Sequence, residues 1–181
     1  MTAMPRIKPL YRCLLGEAFE TLPPLVRALH DLERRAIWTG RADVERGHSR
    51  ICRMIASITG LPPTGTDQPL TVTFTPDNGA EIWHRAFGAA VFRSRQSLGD
   101  GAILEAVGPA RLTLVPAIVD GCLTLTLTGV RVLGFPLPRA LLPVVATREY
   151  EVDGRYRFEV EARMPWFGRL VRYTGWLGAS G

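Results

Sequence analysis

The sequence predicts an α+β fold in which short N-terminal helices precede a strongly curved antiparallel β-sheet, or barrel-like sheet, of about 9–10 strands. Helical spacing of apolar residues occurs only before Gly60. After Gln68 the chain consists of runs with alternating apolar and polar residues, separated by turn signals roughly every eight to twelve residues. No helical segment alternates with these strands, so a parallel sheet is not expected. The length of 181 residues favours a single domain, residues 1–181.

Helices are predicted at about residues 8–30 and 49–59. The first region is interrupted by Pro23-Pro24, and because proline is favoured at a helix start, we expect two short helices there. His30 would end the second of them, where a cation suits the helix dipole, so a capping role is favoured over catalysis. Gly60 ends the later helix. The apolar stripes are Leu10, Leu14, Leu15 and Phe19, then Leu25, Val26 and Leu29, and finally Ile51, Met54, Ile55 and Ile58, with Arg50 and Arg53 outside.

Antiparallel strands are predicted at about residues 34–45 and throughout about 69–177. The clearest pattern runs from Tyr156 to Met164, where every even position is apolar or small and every odd position is charged. Asp-Gly and Asn-Gly pairs between such runs are typical of tight hairpin turns. Residues 134–143 contain three prolines, which excludes a central strand, so we expect a loop with one short helical turn at 139–142.

The charge and the motif content exclude several classes of function. The 22 basic residues, of which only Lys8 is lysine, give a net charge of +5 but are scattered along the chain. Nucleic-acid-binding proteins usually cluster their charge and carry a recognition motif, so nucleic-acid binding is not expected. No Cys-x-x-Cys motif, no pair of histidines four residues apart and no glycine-rich nucleotide loop occurs. We therefore expect neither a metal nor a cofactor.

The hydropathy of the chain bears on its location. No apolar run approaches the length of about 18 residues that a membrane-spanning helix needs. The N-terminal segment MTAMPRIKPLYR lacks the apolar core of a signal peptide. We therefore expect a cytoplasmic protein without a membrane span.

Several stretches together resemble an uncharacterised bacterial family, domain of unknown function 4166. In chain order they read LYRCLLGEAFETLPPLVRALHDL, IWTGRADVERG, EIWHRAFGAAVFRS, LGFPLPRALLPVV, REYEVDGRYRFEVEARMP and GRLVRYTGWL, and they cover roughly residues 9 to 177. Similar domains sometimes follow an NAD-binding, saccharopine-dehydrogenase-like domain in one polypeptide. The resemblance therefore implies a dehydrogenase-like oxidoreductase as a partner protein, and it supplies no catalytic residues.

Two arginines and several aromatic residues are candidates for ligand binding. Arg85 lies between Trp83 and Phe87 on one strand face, where a guanidinium can stack on rings or bind a carboxylate. Arg148 lies on the more apolar face of its strand and is expected to point inward, where it would need an acidic partner or an anionic ligand. Alternatively, both arginines extend from the sheet edge into water. The candidate ligand-binding residues are Trp83, Arg85, Phe87, Phe92, Arg148, Phe158 and Tyr173.

Glu105, Glu149 and His84 are weaker candidates for acid–base catalysis. Glu105 shares a strand face with Ile103 and Val107, and burial of that face would raise the pKa of its carboxyl group. Alternatively, Glu105 faces solvent or pairs with an arginine, and Glu149 leaves the same alternatives open. His84 could act as a general base if it faced a cavity, although a surface histidine explains its position as well.

These observations support three functional hypotheses. The first is a binding module for a small apolar or amphipathic ligand, with or without an acidic end, in a cavity of the curved sheet. The second is a cofactor-independent isomerase or cyclase that works in the same cavity. The third is an interaction domain for a separate NAD-binding, dehydrogenase-like partner, which only the family resemblance suggests.

Overall fold

The computed structural model describes residues 9–179 and shows a closed antiparallel β-barrel of ten strands, preceded and interrupted by short helices. The predicted order, helices first and then a barrel-like antiparallel sheet, is confirmed. Residue 8, where the helical region was expected to begin, lies outside the described residues.

The N-terminal helices form as two short segments, as the proline pair predicts. Helix α1 spans Leu10–Leu15, a 3₁₀ segment spans Gly16–Thr21, and α2 spans Pro24–His30, so that a proline occupies the first helical position. Helix α3 spans Arg50–Ile58. The side chain of Ser49 caps α3 by accepting a hydrogen bond of 3.2 Å from the backbone N–H of Cys52.

The strands follow one another around the barrel almost in chain order. The pairing runs β6-β5-β4-β3-β2-β1-β11-β10-β9-β7, and β6 also pairs with β7, which closes the barrel. A two-residue strand, β8, extends the edge of β7 within the proline-rich segment, and the 3₁₀ turn expected there spans Arg139–Leu141. The strands are β1 Ala36–Arg46, β2 Gly65–Asp77, β3 Ala80–Phe87, β4 Ala90–Leu98, β5 Ile103–Val107, β6 Ala110–Val119, β7 Cys122–Val132, β8 Phe135–Pro136, β9 Val144–Val152, β10 Arg155–Met164 and β11 Gly168–Ala179.

The two ends of the barrel are covered differently. At one end, which we call the covered end, α1 and α2 pack against β6, β9 and β10 beside hairpin turns such as 78–79 and 153–154. At the other end, which we call the mouth, lie the connections 47–64, 133–143 and 165–167, and α3 packs against β1 and β11. The register places the connections together, since Met164 pairs with Gly168 and Arg163 pairs with Val144.

The inward faces of β1, β3, β7 and β10 are the apolar faces that the alternation predicts. Trp38 and Phe158 are among the buried core residues. Gly175 permits this packing, because a Cβ atom there would lie 2.7 Å from the Phe158 ring and 2.3 Å from the carbonyl oxygen of Arg41. A glycine in β11 therefore allows a close approach of the neighbouring strands here.

Helix α3 departs from the expectation that its apolar stripe is its buried face. Ile51, Met54 and Ile58 are exposed, whereas the small residues Cys52 and Ala56 are fully buried. The thiol of Cys52 lies 3.5 Å from the carbonyl oxygen of Phe167, so the helix approaches the barrel closely through its small residues. The apolar periodicity predicted the helix correctly, but the buried face is centred on Cys52 and Ala56 and includes only Ile55 of the predicted stripe.

Candidate ligand cavity

The barrel encloses a cavity of about 410 Å³. This volume lies within the range of about 300–1,000 Å³ that is typical of sites for small ligands. Most of the wall is apolar and comes from the inward faces of the strands, with residues such as Leu127, Phe158 and Val160. The barrel interior therefore contains space for a molecule as well as packed side chains.

The cavity is closed at the covered end and leads toward the mouth. Tyr11, Leu29 and His30 line it at the covered end, and each of these residues is at most 2% exposed. Ile58 and Val132 line it near the mouth and are 57% and 38% exposed. The two lining residues in the exposed class both lie near the mouth, so we infer that the cavity opens there.

A histidine–carboxylate pair lies at the inner, covered end of the cavity. His30 Nε2 is 2.5 Å from Glu149 Oε2, and the side chains are 2% and 13% exposed. The hydroxyl of Tyr156 also donates a hydrogen bond to Glu149. His30 Nδ1 has no hydrogen-bond partner among the described residues, although it is buried. A buried polar atom of this kind can bind a ligand or a water molecule.

A second group of polar side chains, linked by hydrogen bonds, lies beside this pair. The hydroxyl of Tyr11 donates to Gln96 at 3.3 Å, and Gln96 donates to Glu105 at 3.2 Å. Arg85 Nη2 is 3.8 Å from Glu105, and its Nη1 donates a hydrogen bond of 2.8 Å to Ser94. The ring centroids of Tyr11 and His30 are 4.0 Å apart, so the two hydrogen-bonded groups are in contact. Seven residues of these two groups line the cavity, and we call them the inner polar cluster: Tyr11, His30, Arg85, Gln96, Glu105, Glu149 and Tyr156.

The surroundings of these groups change their acidity. Burial by itself would raise the pKa of Glu149, but attraction to His30 and hydrogen bonds from His30 and Tyr156 outweigh it, so the pKa is lowered. Burial and the nearby carboxylates raise the pKa values of Tyr11 and Tyr156 well above the usual 10.0. Burial likewise raises the pKa of Tyr173 to about 12. At neutral pH Glu149 is therefore a carboxylate that accepts a hydrogen bond from the neutral phenol of Tyr156.

Most of the candidate residues converge on this cavity. The guanidinium carbon of Arg85 lies 5.0 Å from the ring centroid of Trp83 and 5.4 Å from that of Phe92, so it stacks on rings as expected, although the second ring is Phe92 and not Phe87. Glu105 and Glu149 also line the cavity, whereas His84 is exposed on the outside of β3. The candidate ligand-binding residues that line it are Trp83, Arg85, Phe87, Phe92, Phe158 and Tyr173.

The expectation that Arg148 points inward is wrong. Arg148 is exposed, and its guanidinium contacts Cys122 and the ring of Tyr150. The other face of β9 points inward, although its residues are more polar. It can do so because Thr147 accepts a hydrogen bond of 2.6 Å from the backbone N–H of Leu125, and because Glu149 pairs with His30. Partners from distant segments satisfy the buried polar groups of this face.

Tyr11, His30, Gln96 and Tyr156 belong to the inner polar cluster but were not among the candidates predicted from the sequence. His30 ends α2 as expected, but it is buried against Glu149 instead of serving as an exposed cap. One signal was available, since His30 follows Val26 by four residues and so shares the buried face of its helix. Tyr11 and Gln96 carried no comparable signal, because their roles depend on partners 85 residues apart in the chain.

The residues that the structure describes form no group of three or more histidine, cysteine, aspartate or glutamate side chains able to hold a metal ion. Within residues 9–179, no helix has the length and apolar character needed to cross a membrane.

The fold and the cavity define a class of protein, a closed antiparallel β-barrel whose interior is compatible with ligand binding. The family described as "Domain of unknown function (DUF4166)" matches residues 22–177, and the chain therefore belongs to this family. A search of curated proteins gives no match.

Among solved structures, the chain is similar to a protein of unknown function from the DUF3598 family of Nostoc punctiforme. The sequence identity is 10% and the TM-score is 0.44, and the match covers 80% of this chain. The match spans only 47% of the other protein's chain.

Proposed function

We propose that the protein is a binding module that holds one small apolar or amphipathic molecule inside the barrel. The observation that carries this proposal is the cavity of about 410 Å³, which is apolar along most of its wall and has its polar groups gathered at the covered end. This distribution suits a molecule with an apolar body and one polar end. The polar end of the ligand would lie against the inner polar cluster.

Arg85 favours a ligand whose polar end is acidic. Its guanidinium has five N–H groups, and one of them binds Ser94 while Glu105 lies at 3.8 Å, beyond hydrogen-bonding distance. Arg85 therefore has donors with which to bind a carboxylate. His30 Nδ1 supplies a further polar atom in the same region of the cavity.

Native mass spectrometry of the freshly purified protein tests the proposal, since a bound small molecule should appear as a defined mass difference. A titration with a fluorescent fatty acid should then be blocked by Leu127→Trp, because Leu127 lines the cavity. Leu104→Trp is the matched control, since Leu104 is exposed on the outside of the barrel. Absence of any bound molecule, together with equal titration of both variants, would contradict the proposal.

The nature of the polar end can be tested with two ligands of equal chain length, a fatty acid and the corresponding alcohol. Arg85→Met should weaken binding of the acid by roughly tenfold, since one charged hydrogen bond is lost, and should leave binding of the alcohol nearly unchanged. Equal effects on both ligands would show that Arg85 does not bind an acidic group.

A second candidate function is a cofactor-independent isomerase or cyclase. The pairing of His30 with Glu149 in a cavity, beside Glu105, is the observation that favours it, because such groups can move protons. His84 is not a candidate here, since it does not line the cavity. The molecule recovered from the protein should be converted on incubation, as followed by NMR. Glu105→Gln should abolish this conversion while the melting temperature stays nearly unchanged, and conversion at the wild-type rate would exclude Glu105 as the acid or base.

We also propose that the protein interacts with a separate oxidoreductase and that it is located in the cytoplasm. The family resemblance suggests this partner. Affinity capture with the tagged protein should recover a dehydrogenase-like protein, and cell fractionation should recover the chain in the cytoplasmic fraction. If capture recovers no oxidoreductase, this part of the proposal fails without affecting ligand binding.

A further inference from the structure

The mouth of the barrel carries large apolar side chains that are exposed. Six of them, which we call the mouth rim, are Met54, Ile58, Leu133, Phe135, Val144 and Trp166. Their exposed fractions lie between 56% for Met54 and 77% for Phe135. Isolated exposed apolar residues are ordinary, but a group of this kind at one end of a molecule indicates an interaction surface.

The mouth rim lies on three segments, namely α3, residues 133–144 and the turn 165–167. These segments contact one another, directly or through the β5–β6 turn, around the opening. Cys52 of α3 contacts the carbonyl oxygen of Phe167 in the turn between β10 and β11. The far end of α3 lies beside the β5–β6 turn, where a Cβ atom on Gly108 would be 3.1 Å from the carbonyl oxygen of Ile58. The backbone N–H of Leu133 donates to Pro109 in that same turn. The rim therefore forms one surface around the mouth, where the cavity opens.

Basic residues surround this apolar rim. The segments 46–64, 108–111, 131–144 and 163–169 together contain eight arginines and no aspartate or glutamate. Arg50, Arg53 and Arg139 are exposed and form no salt bridge with a described residue. Arg163 and Arg169 pair with Glu161, and Arg169 also pairs with Glu45. The mouth therefore has an excess of positive charge.

The covered end lacks this excess of positive charge. Each of its four hairpin turns carries or adjoins an aspartate, namely Asp77, Asp100, Asp120 and Asp153. Arg95 pairs with Asp77 and Arg155 lies two residues after Asp153, so this negative charge is offset in part. Charge is thus uneven along the barrel axis, with the excess of positive charge at the end that exposes apolar side chains. This polarity orients the mouth toward a negatively charged surface.

We propose that the mouth docks on an anionic lipid bilayer. Trp166, Phe135 and Leu133 would enter the interface between headgroups and acyl chains, and the arginines around them would contact the anionic headgroups. Tryptophan suits this boundary because its ring has an apolar body and a polar N–H. A surface that is both apolar and basic matches the two components of such a bilayer, whereas nucleic acid would match only the charge.

This docking extends the proposed function and rests on it for one point, the source of the ligand. Because the mouth rim encircles the opening of the cavity, docking would place that opening against the acyl chains. An apolar molecule could then pass between bilayer and barrel without crossing water, which avoids the cost of exposing its apolar surface.

Vesicle co-sedimentation tests the docking. The full chain should sediment with vesicles of phosphatidylcholine mixed with phosphatidylglycerol, should not sediment with phosphatidylcholine alone, and should be released by high salt. The double variant Phe135→Ser/Trp166→Ser and the double variant Arg50→Glu/Arg53→Glu should each lower binding by roughly tenfold or more. Val119→Ser/Val152→Ser is the matched control, since both residues are exposed beside hairpin turns at the covered end, and it should bind as the wild type does.

Two outcomes overturn the docking, namely no binding to anionic vesicles, or equal loss in the mouth and control variants. Analytical ultracentrifugation tests whether a second copy of the chain covers the rim instead. A wild-type dimer that becomes a monomer in Phe135→Ser/Trp166→Ser would replace the bilayer with a self-association surface.

The Leu127→Trp variant separates the two proposals, since it blocks the cavity and leaves the rim intact. It should bind vesicles normally, and the mouth variants should still bind a soluble fluorescent fatty acid. A wild-type protein that binds the fatty acid but does not bind anionic vesicles would end only the docking proposal, and a wild-type protein that binds the vesicles but no fatty acid would end only the ligand proposal.

Discussion

The two ends of the barrel solve opposite problems. At the covered end, polar groups such as His30 and Glu81 are buried, and hydrogen bonds between distant segments satisfy most of them. At the mouth, apolar groups such as Phe135 and Trp166 remain exposed although they contribute no core. The polar groups of the covered end are therefore accounted for by partners within the fold, whereas the surface of the mouth has a composition that folding alone does not explain.

The largest effect is expected where the buried pair is broken. Glu149→Ala should lower the free energy of unfolding by about 3 kcal/mol or more, because it leaves His30 buried without its partner. Glu45→Ala, which breaks the exposed pair with Arg169 near the mouth, should cost less than about 1 kcal/mol. Urea denaturation measures both changes. Equal losses would mean that burial does not distinguish the two ends.

A smaller effect is expected from removing one hydroxyl at the covered end. Tyr156→Phe deletes the hydrogen bond to Glu149 and should cost about 1–2 kcal/mol, since the acceptor is charged and buried. Tyr173→Phe is the matched control, because burial and nearby charges, without a hydrogen bond to a carboxylate, account for the raised pKa of Tyr173. If the control loses as much stability as Tyr156→Phe, the bond to Glu149 is not the cause.

The pH dependence of stability should distinguish two buried carboxylates of the covered end. The pKa of Glu149 is lowered in the folded protein, so its contribution is present above the ordinary value of 4.5 and is lost as the pH falls through the folded pKa. Burial raises the pKa of Glu81, although bonds from Leu10 and Trp83 and attraction to His30 partly offset it. Stability due to Glu81 therefore declines as the pH rises above 4.5.

Glu149→Gln should therefore reduce the loss of stability that occurs as the pH falls below 4.5. Glu81→Gln should reduce the decline in stability that occurs as the pH rises above 4.5. Denaturation midpoints measured across the acidic range, with the wild type in parallel, test both signs. A change of slope in the same direction for both variants would contradict the assignment.

The smallest effect on stability is expected at the mouth rim. Trp166→Ser should change the free energy of unfolding by no more than about 0.5 kcal/mol, since the side chain is 76% exposed. Trp38→Ser, at a buried tryptophan, provides the contrast and should be strongly destabilising. A large loss in Trp166→Ser would show that the rim supports the fold and would weaken its interpretation as a docking surface.

Local pattern predicted most strands because each strand has one face in the barrel and one outside. It failed at β9, where the polar face of Thr147 and Glu149 is inward, since the partners of these residues belong to β7 and α2. It also failed for the face of α3, because close approach through Cys52 and Ala56 outweighs the larger apolar stripe. In both cases a contact between distant segments overrides a local preference.

The amino-acid sequence by itself determined the fold class, the turns and the inward set around Trp83, Arg85 and Phe87, because alternation and turn chemistry act between near neighbours. Only the tertiary structure decided that the barrel closes around a cavity and that His30 meets Glu149 across 119 residues. It also brought together, at one end of the barrel, arginines that are scattered along the chain. The physical reason is that antiparallel pairing brings every second connection to the same end of the barrel, however far apart those connections lie in the sequence.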